Sequence, residues 1–428
     1  MSRILAAVCS ALRGVLTDCR GGLSAPFAIL LVPAVGMVGG AVDYGYYYSA
    51  RTKMAVAADA AVLAAVGKVA SGGDTTSAKA SGLSVFSAQS DDVKNATVAG
   101  ADLQVVDQGL TRTATLTYSG SVKTSFMQVL GFSSIGFTGS SVASSAKLPY
   151  IDFYMLLDNT PSMGVGATTA DINKMVANTP DQCAFACHDT SNANNYYNKA
   201  KTLGVTMRID VVRTATQALI DNANATATAG QYRVGVYSFG ATAPAAKLTK
   251  VQPLTSNLPN AKTNAGTVDL MTVPNNNYNN DMDTPMNDVL ASINSEIAAP
   301  GDGSTAANPQ KILFFVSDGV ADQNLTTAAG CSQPVSGANR CQMPINPAQC
   351  TTIKNRGIKI AVLYTTYLPL PTNAWYNTWI KPFQATISAN MQACASPGLF
   401  FEVSPSQGIT EAMLALFDKA TAMAHLTN

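Results

Sequence analysis

Residues 151–163 read IDFYMLLDNTPSM, an apolar run that ends at an aspartate and continues into residues with hydroxyl groups. Residues 312–319, ILFFVSDG, repeat the arrangement of an apolar run followed by an aspartate. Runs as apolar as these are typical of strands that are buried on both faces, and such strands occur in parallel sheets covered by helices. The two stretches therefore predict the centre of an α/β domain.

The sequence on either side of these stretches extends the same pattern. Apolar segments alternate with helical ones, as in RIDVVRTATQALIDNANA, YRVGVYSF, PMNDVLASINSEIAA, GIKIAVLYTTY and LFFEVS. This alternation indicates a doubly wound, mainly parallel sheet. We expect an α/β domain with loop insertions over residues 149–428, with ligands bound at the carboxyl ends of its strands.

Composition argues against two classes of function. Charged residues make up 12% of the 428 residues and the net charge is +1, so the clustered lysine and arginine of a nucleic-acid-binding surface is missing. Neither of the two histidines, His188 and His425, lies in a sequence motif of a Ser-His-Asp hydrolase. Glycine-rich phosphate loops and dinucleotide fingerprints are absent as well. We therefore expect neither a nucleic-acid partner nor an enzymatic activity.

The stretch Leu23–Val42 carries no charge and is long enough to cross a bilayer as a helix. A cleaved signal peptide is the alternative, but its apolar core is usually about 7–15 residues long. We expect residues 1–22 in the cytoplasm, a transmembrane helix over 23–42, and a helical extension outside the membrane over 43–71. Gly36 and Gly40 have the spacing that lets a second helix approach, which would form a homo-oligomer, although chance accounts for the pair equally well.

The cysteines support this orientation. Six of the eight follow the apolar stretch, and an even set fits disulfides in an oxidising compartment. Among the 15 connectivities that six cysteines allow, we predict the pairs Cys331–Cys341 and Cys350–Cys394. For Cys183 and Cys187 we predict a small disulfide loop, with a zinc site that includes His188 as the alternative. Everything after about residue 43 is thus expected in the periplasm or outside the cell.

Residues 72–148 have a different pattern from the α/β domain. SGGDTTSAKASG, residues 71–82, predicts a turn or linker. Short Thr-, Ser- and Val-rich runs follow over 96–106, 111–126 and 134–148, and their alternation indicates antiparallel strands. We expect a small β-rich module here.

Five side chains are candidates for one metal site at the carboxyl edge of the parallel sheet. Asp158 and Asp318 end the two apolar strands, Thr160 and Ser162 follow Asp158, and Thr284 precedes a predicted helix. An all-oxygen set suits a hard cation, Mg²⁺ first, with Mn²⁺ and Ca²⁺ as alternatives. The competing interpretation is that the two aspartates are helix N-caps.

These motifs resemble the von Willebrand factor A (VWA) domain with its metal-ion-dependent adhesion site. Asp158, Thr160 and Ser162 match the Asp-x-Ser-x-Ser motif with threonine in the first hydroxyl position, while Thr284 and Asp318 match the later threonine and aspartate. The resemblance implies that the hydroxyls coordinate the ion and that an acidic side chain of a partner completes the coordination.

The N-terminal region resembles a second family. Residues 18–65, DCRGGLSAPFAILLVPAVGMVGGAVDYGYYYSARTKMAVAADAAVLAA, are similar to the TadE/TadG-like segment of tight-adherence (Flp) pilus-assembly proteins, and the whole chain resembles the TadG type. The prepilin cleavage signature is absent, because the fifth residue after Gly22 is Phe27 and not glutamate.

The resemblance implies a single-pass inner-membrane protein that docks other pilus-assembly or envelope proteins. Two alternatives remain open, namely a structural pilin-like subunit with a vestigial metal site and a surface adhesin that binds host or matrix proteins. Trp375 and Trp379, the chain's two tryptophans, form either part of a loop core or an exposed binding patch.

Overall fold

The structure is a computed structural model that describes residues 24–67, 73–185, 189–226, 230–275, 282–335, 339–403 and 408–425. The predicted cytoplasmic segment 1–22 lies outside these residues, as do Cys187, His188, Asp281 and the side chain of His425. The chain forms two compact units, Met1–Ala146 and Lys147–Asn428.

The N-terminal unit is built on a long helix, α1 (Ser24–Val66). A second helix, α2 (Thr75–Ser90), packs against it, so the predicted turn or linker is wrong for residues 75–82. Asp74 starts α2, because its carboxylate accepts the N–H of Ser77 at 2.7 Å. Gly82 allows the close packing, since a β-carbon there would lie 2.9 Å from the carbonyl oxygen of Ala61.

Three antiparallel strands complete this unit, as the alternation predicts: β1 (Ala96–Gln108), β2 (Thr111–Lys123) and β3 (Ser134–Ala146). Leu103, Leu116 and Phe86 share a buried cluster with Met54 and Ala58 of α1. The half of α1 that follows the predicted span is therefore held by the sheet and α2.

The connection between β2 and β3, residues 124–133, lies against the earlier half of α1. Asp43 of α1 accepts the backbone N–H groups of Ser125, Phe126 and Met127 at 2.7–2.9 Å. Gly39 is buried under Phe126, and a β-carbon there would lie 2.6 Å from the Cβ of Phe126. The connection and the helix therefore pack without space for a side chain at position 39.

Gly39→Val is expected to loosen this packing by about 1–3 kcal/mol, the usual cost of overpacking. Hydrogen exchange of the peptide that contains residues 125–127 should then be at least about 5-fold faster than in the wild-type chain. Gly40→Val is the matched control, because a β-carbon at position 40 meets nothing within 4 Å. Equal hydrogen-exchange rates in the two variants would contradict the packing of Phe126 on Gly39. Weaker self-association of Gly40→Val is a separate outcome, which would support the predicted pairing of two α1 helices through Gly36 and Gly40.

In the described part of the C-terminal unit, a six-stranded sheet has the order β12 (Phe400–Val403), β11 (Lys359–Thr365), β7 (Gln310–Ser317), β4 (Ile151–Leu157), β5 (Tyr232–Ser238) and β6 (Thr249–Thr255). Neighbouring strands from β12 to β5 are parallel, and β6 is antiparallel to β5. The elements of the sheet and its helices are β4 (Ile151–Leu157), α3 (Thr169–Asn178), α4 (Tyr196–Thr202), α5 (Arg208–Thr226), β5 (Tyr232–Ser238), β6 (Thr249–Thr255), α6 (Leu258–Ala265), α7 (Met286–Glu296), β7 (Gln310–Ser317), α8 (Pro347–Asn355), β11 (Lys359–Thr365), α9 (Gln384–Cys394), β12 (Phe400–Val403) and α10 (Ile409–His425).

Alternate side chains of β4 enter two separate cores. Phe153 and Met155 pack in a cluster with α5, α6 and α10, and Tyr154 and Leu156 pack in another with α7, α8 and α9. Every residue of β4 and β7 is buried for this reason. The N-terminal apolar helix and the mixed α/β sheet that the sequence predicts are both present.

A small antiparallel sheet is inserted after β7, formed by β8 (Val320–Asn324), β9 (Pro334–Val335) and β10 (Arg340–Pro344). The disulfide Cys331–Cys341 closes this insertion, and Cys350–Cys394 joins α8 to α9. Both predicted pairings are confirmed. The predicted pairing of Cys183 with Cys187 falls outside the described residues.

Candidate metal centre

Asp158 lies directly after β4 and is fully buried. Its Oδ1 accepts the backbone N–H of Thr160 at 3.0 Å and the Thr160 hydroxyl at 2.7 Å. Its Oδ2 accepts the hydroxyl of Ser317, the last residue of β7, at 2.6 Å. The carboxylate is therefore fixed between two neighbouring strand ends.

Ser162 stands on a single 3-10 turn, Pro161–Gly164, and its hydroxyl oxygen is 3.5 Å from that of Thr160. Asn159 holds the loop in place, because its side chain accepts the N–H of Phe239 and donates to the carbonyl oxygens of Gly240 and Asp269. The loop that carries the hydroxyls of Thr160 and Ser162 is therefore held in place by hydrogen bonds of Asn159.

Asp318 lies directly after β7 and is also fully buried. Its Oδ1 accepts the N–H of Val320 at 3.2 Å, and β8 starts at Val320. Asp318 therefore leads into a strand, and Thr160, not Asp158, occupies the N-cap position of the following 3-10 turn. The N-cap interpretation does not describe either aspartate. Since β4 and β7 are adjacent but the chain leaves them towards opposite sides of the sheet, the site occupies the topological switch point.

Arg208, the first residue of α5, completes the cluster and is fully buried. Its Nη1 lies 3.1 Å from Oδ2 of Asp318 and 3.5 Å from the carbonyl oxygen of Ser162, and its guanidinium lies 4.8 Å from the ring centre of Tyr367. Among the described residues, no acceptor is bound to its Nε or Nη2. Arg208 is not among the residues predicted from the sequence, because no motif distinguishes this arginine from others in helices.

The two carboxylates disfavour each other's charge. Burial raises the pKa of Asp158 above its usual range, and the nearby charge of Asp318 raises it further, against the hydrogen bonds from Ser317 and Thr160. Burial also raises the pKa of Asp318, although the charge of Arg208 opposes this shift. Arg208 thus compensates only part of the negative charge.

Thr284 lies beside the cluster without bonding to it. Its backbone forms an antiparallel bridge with Asp322, through N···O distances of 2.9 and 3.2 Å. Within the described ranges, no hydrogen bond joins its hydroxyl to Asp158, Thr160, Ser162 or Asp318. The structure therefore brings four of the five predicted residues together and pairs the backbone of the fifth with Asp322, four residues after Asp318.

The donor set fits a hard divalent cation in chemistry. The hydroxyl oxygen of Thr160 lies 2.7 Å from Oδ1 of Asp158 and 3.5 Å from the hydroxyl oxygen of Ser162, and the buried carboxylate pair is incompletely neutralised. Asp318 has Arg208 on one oxygen and an N–H on the other, which favours contact through water. In the described ranges, no three His, Cys, Asp or Glu side chains form a metal-binding group, so hydroxyls would have to supply ligands.

The tryptophans lie away from these residues in the sequence and are partly buried. Trp375 and Trp379 have ring centres 5.7 Å apart, and the guanidinium of Arg340 lies 4.4 Å from the ring centre of Trp375. Arg340 in turn is paired with Asp322. Trp379 lies in the short π-helix Tyr376–Ile380 and Trp375 directly precedes it, so the two half-buried indoles belong to a packed element.

Part of the chain matches a known family model. Residues 21–70 match the Tad model, described as "Flp pilus-assembly TadE/G-like". These residues include all of α1, and its part Phe27–Val66 is long and apolar enough to cross a membrane by length and composition. The match supports a pilus-related role, and α1 is consistent with single-pass membrane anchoring.

Comparison with solved structures finds the pilus adhesin SpaC from Lactobacillus rhamnosus GG. Its open conformation is 11% identical with a TM-score of 0.37, over 76% of this chain and 33% of the adhesin. A second SpaC structure is 12% identical with a TM-score of 0.35, over 77% and 34%. The chain spans about a third of the adhesin's length, and likenesses this low assign neither fold nor function. No curated protein matches the chain.

Proposed function

We propose that the chain is a membrane-anchored, non-enzymatic component of Flp pilus assembly, with a VWA-type domain that binds a partner protein through a divalent cation. The family match over residues 21–70 supports the pilus role. The disulfides Cys331–Cys341 and Cys350–Cys394 support an oxidising location, in the periplasm or outside the cell, for the C-terminal unit.

The observation that carries the cation proposal is the meeting of Asp158, Thr160, Ser162 and Asp318 at the ends of β4 and β7. Ligands of doubly wound sheets bind at this kind of switch point. Asp158, Thr160 and Ser162 would hold the ion, with Asp318 acting through water and Thr284 at the rim. Mg²⁺ is the first choice for such a set, ahead of Mn²⁺ and Ca²⁺.

Charge explains why a partner would offer an acidic side chain. When both aspartates are ionised, the two carboxylates and Arg208 leave one net negative charge in a buried site. A divalent cation reverses this to one net positive charge, and a carboxylate from a partner neutralises it. The chain's residues thus position the ion, and the ion supplies a Lewis-acidic contact for the partner.

Mg²⁺ binding to the full-length chain, measured by calorimetry in detergent or nanodiscs, tests this proposal. Asp158→Asn and Thr160→Val should each weaken Mg²⁺ affinity by more than about 10-fold, because even the loss of a residue that only hydrogen-bonds to a metal ligand often has that effect. Asp221→Asn is the control, because it removes the same charge from an exposed pair with Lys262.

Unchanged Mg²⁺ affinity in Asp158→Asn would rule out the cation site and leave the pilus role standing. The pilus role has a separate test, which is pilus formation by cells that lack the chain. Pili that assemble normally with Asp158→Asn but not without the chain would favour a structural subunit.

A further inference from the structure

The connection between β2 and β3, which we call the apolar loop (residues 124–133), contains no charged residue. It reads TSFMQVLGFS, and its large apolar side chains face outward: Phe126 is 50% exposed, Val129 84%, Leu130 57% and Phe132 60%. Four such side chains within seven residues form a patch that water solvates poorly.

The apolar loop lies beside the apolar stretch of α1. Phe126 covers Gly39, and the side chain of Leu130 lies 3.7 Å from the position of a β-carbon on Gly36. Along the same part of α1 the apolar side chains are exposed as well, including those of Phe27, Ile29, Leu30, Val35, Met37 and Val38. Loop and helix therefore present one continuous apolar surface.

The position of Gly36 fixes the depth of the loop in a membrane. Gly36 is six residues inside Val42, the end of the charge-free stretch, and a helix rises 1.5 Å per residue. A helix that crosses a bilayer along its axis over residues 23–42 thus carries Leu130 about 9 Å below the end of that stretch. A bilayer that surrounds this stretch of α1 would therefore surround the loop as well.

Several backbone N–H groups of the loop are hydrogen-bonded within the protein. Asp43 accepts the N–H groups of Ser125, Phe126 and Met127. The N–H groups of Gly131 and Phe132 bond to carbonyl oxygens within the loop at 3.0 Å. Backbone groups bonded in this way need little from water, which is the condition for entering lipid.

We propose that the apolar loop inserts into the outer half of the bilayer beside α1, as a second membrane contact of the N-terminal unit. This inference rests on α1 spanning the membrane, as the proposed function has it. Val129 and Phe132 would lie among the acyl chains, and Lys123, exposed at the end of β2, would lie towards the headgroups.

Photo-crosslinking of the full-length chain in phosphatidylethanolamine–phosphatidylglycerol liposomes tests the insertion. p-Benzoylphenylalanine is placed at Val129, at Met37 of α1, and at Val106 as the matched exposed valine. Val106 pairs with Thr113, ten residues before Lys123 along β2 and thus about 33 Å from the loop. We expect lipid adducts at Val129 at a level near that of Met37 and at least 10-fold above Val106.

Lipid adducts at Met37 with only the Val106 level at Val129 would overturn the insertion and leave α1 as the anchor. Adducts at none of the three positions would overturn the anchor and the insertion together. Crosslinks from Val129 to a second copy or another protein, without lipid adducts, would overturn it in favour of a protein interface. Val129 is 84% exposed, so the probe should not disturb folding, and Phe132 provides a second labelling site.

Discussion

Replacing Arg208 with methionine is expected to lower the free energy of unfolding of the C-terminal unit by about 3–5 kcal/mol in the absence of divalent cations. Arg208 and Asp318 are both fully buried, and their Nη1···Oδ2 distance is 3.1 Å. Without the guanidinium, Asp318 would be an uncompensated buried charge beside Asp158. Denaturant unfolding followed by tryptophan fluorescence measures the loss, since both tryptophans belong to the C-terminal unit.

Mg²⁺ should compensate for this loss. A ligand at about 100 times its dissociation constant stabilises the folded state by about 2.7 kcal/mol, and the more negative site of Arg208→Met should bind Mg²⁺ more tightly than the wild-type site. Arg208→Lys, which keeps the charge, is the conservative control, and Arg208→Met with Asp318→Asn should regain most of the stability. If Mg²⁺ stabilised Arg208→Met less than the wild-type chain, the cation would not share a site with these carboxylates.

The second large effect is expected at the start of β4, the strand that directly precedes Asp158. Asp152 of β4 is buried between Arg233, at 2.6 and 2.8 Å, and Lys311 of β7, which is 6% exposed. Asp152→Ala would leave the Lys311 ammonium buried without a partner, at a cost of about 3–5 kcal/mol. The same fluorescence-detected unfolding measures this change.

Asp152→Ala should differ from Arg208→Met in its response to Mg²⁺. Asp152 lies six residues before Asp158, about 20 Å along the strand, so the folded variant should bind Mg²⁺ with wild-type affinity in calorimetry. Arg233→Gln should cost less, because Arg233 is 38% exposed and already reaches water. A loss of Mg²⁺ affinity in Asp152→Ala would show that the site depends on overall stability and not on its own ligands.

Local pattern was sufficient to predict the sheet and most of the candidate site. Asp158 and Asp318 end strands that are apolar throughout, and such strands are recognisable without knowledge of their neighbours. Thr160 and Ser162 follow at fixed offsets, so their closeness to Asp158 is a property of one short loop.

Residues that join the site through tertiary packing could not be predicted in this way. Arg208 comes from the start of a helix 46 residues after Ser162, and only the folded chain shows its contact with Asp318. The helix α2 could not be predicted for a related reason: its Ser- and Thr-rich sequence has weak helical propensity, and burial of Ala78, Gly82 and Phe86 against other elements stabilises it.

The disulfide Cys350–Cys394 also has a mechanical consequence. If the C-terminal unit were stretched between its ends, the load would pass from α8 to α9 through the sulfur atoms, and the intervening chain, including β11, would carry none of it. With a sequence separation of 44, this crosslink removes about 150 Å of extensible length. Cys331–Cys341 removes about another 35 Å from its separation of 10. Oxidised and reduced chains should therefore differ in contour length when pulled.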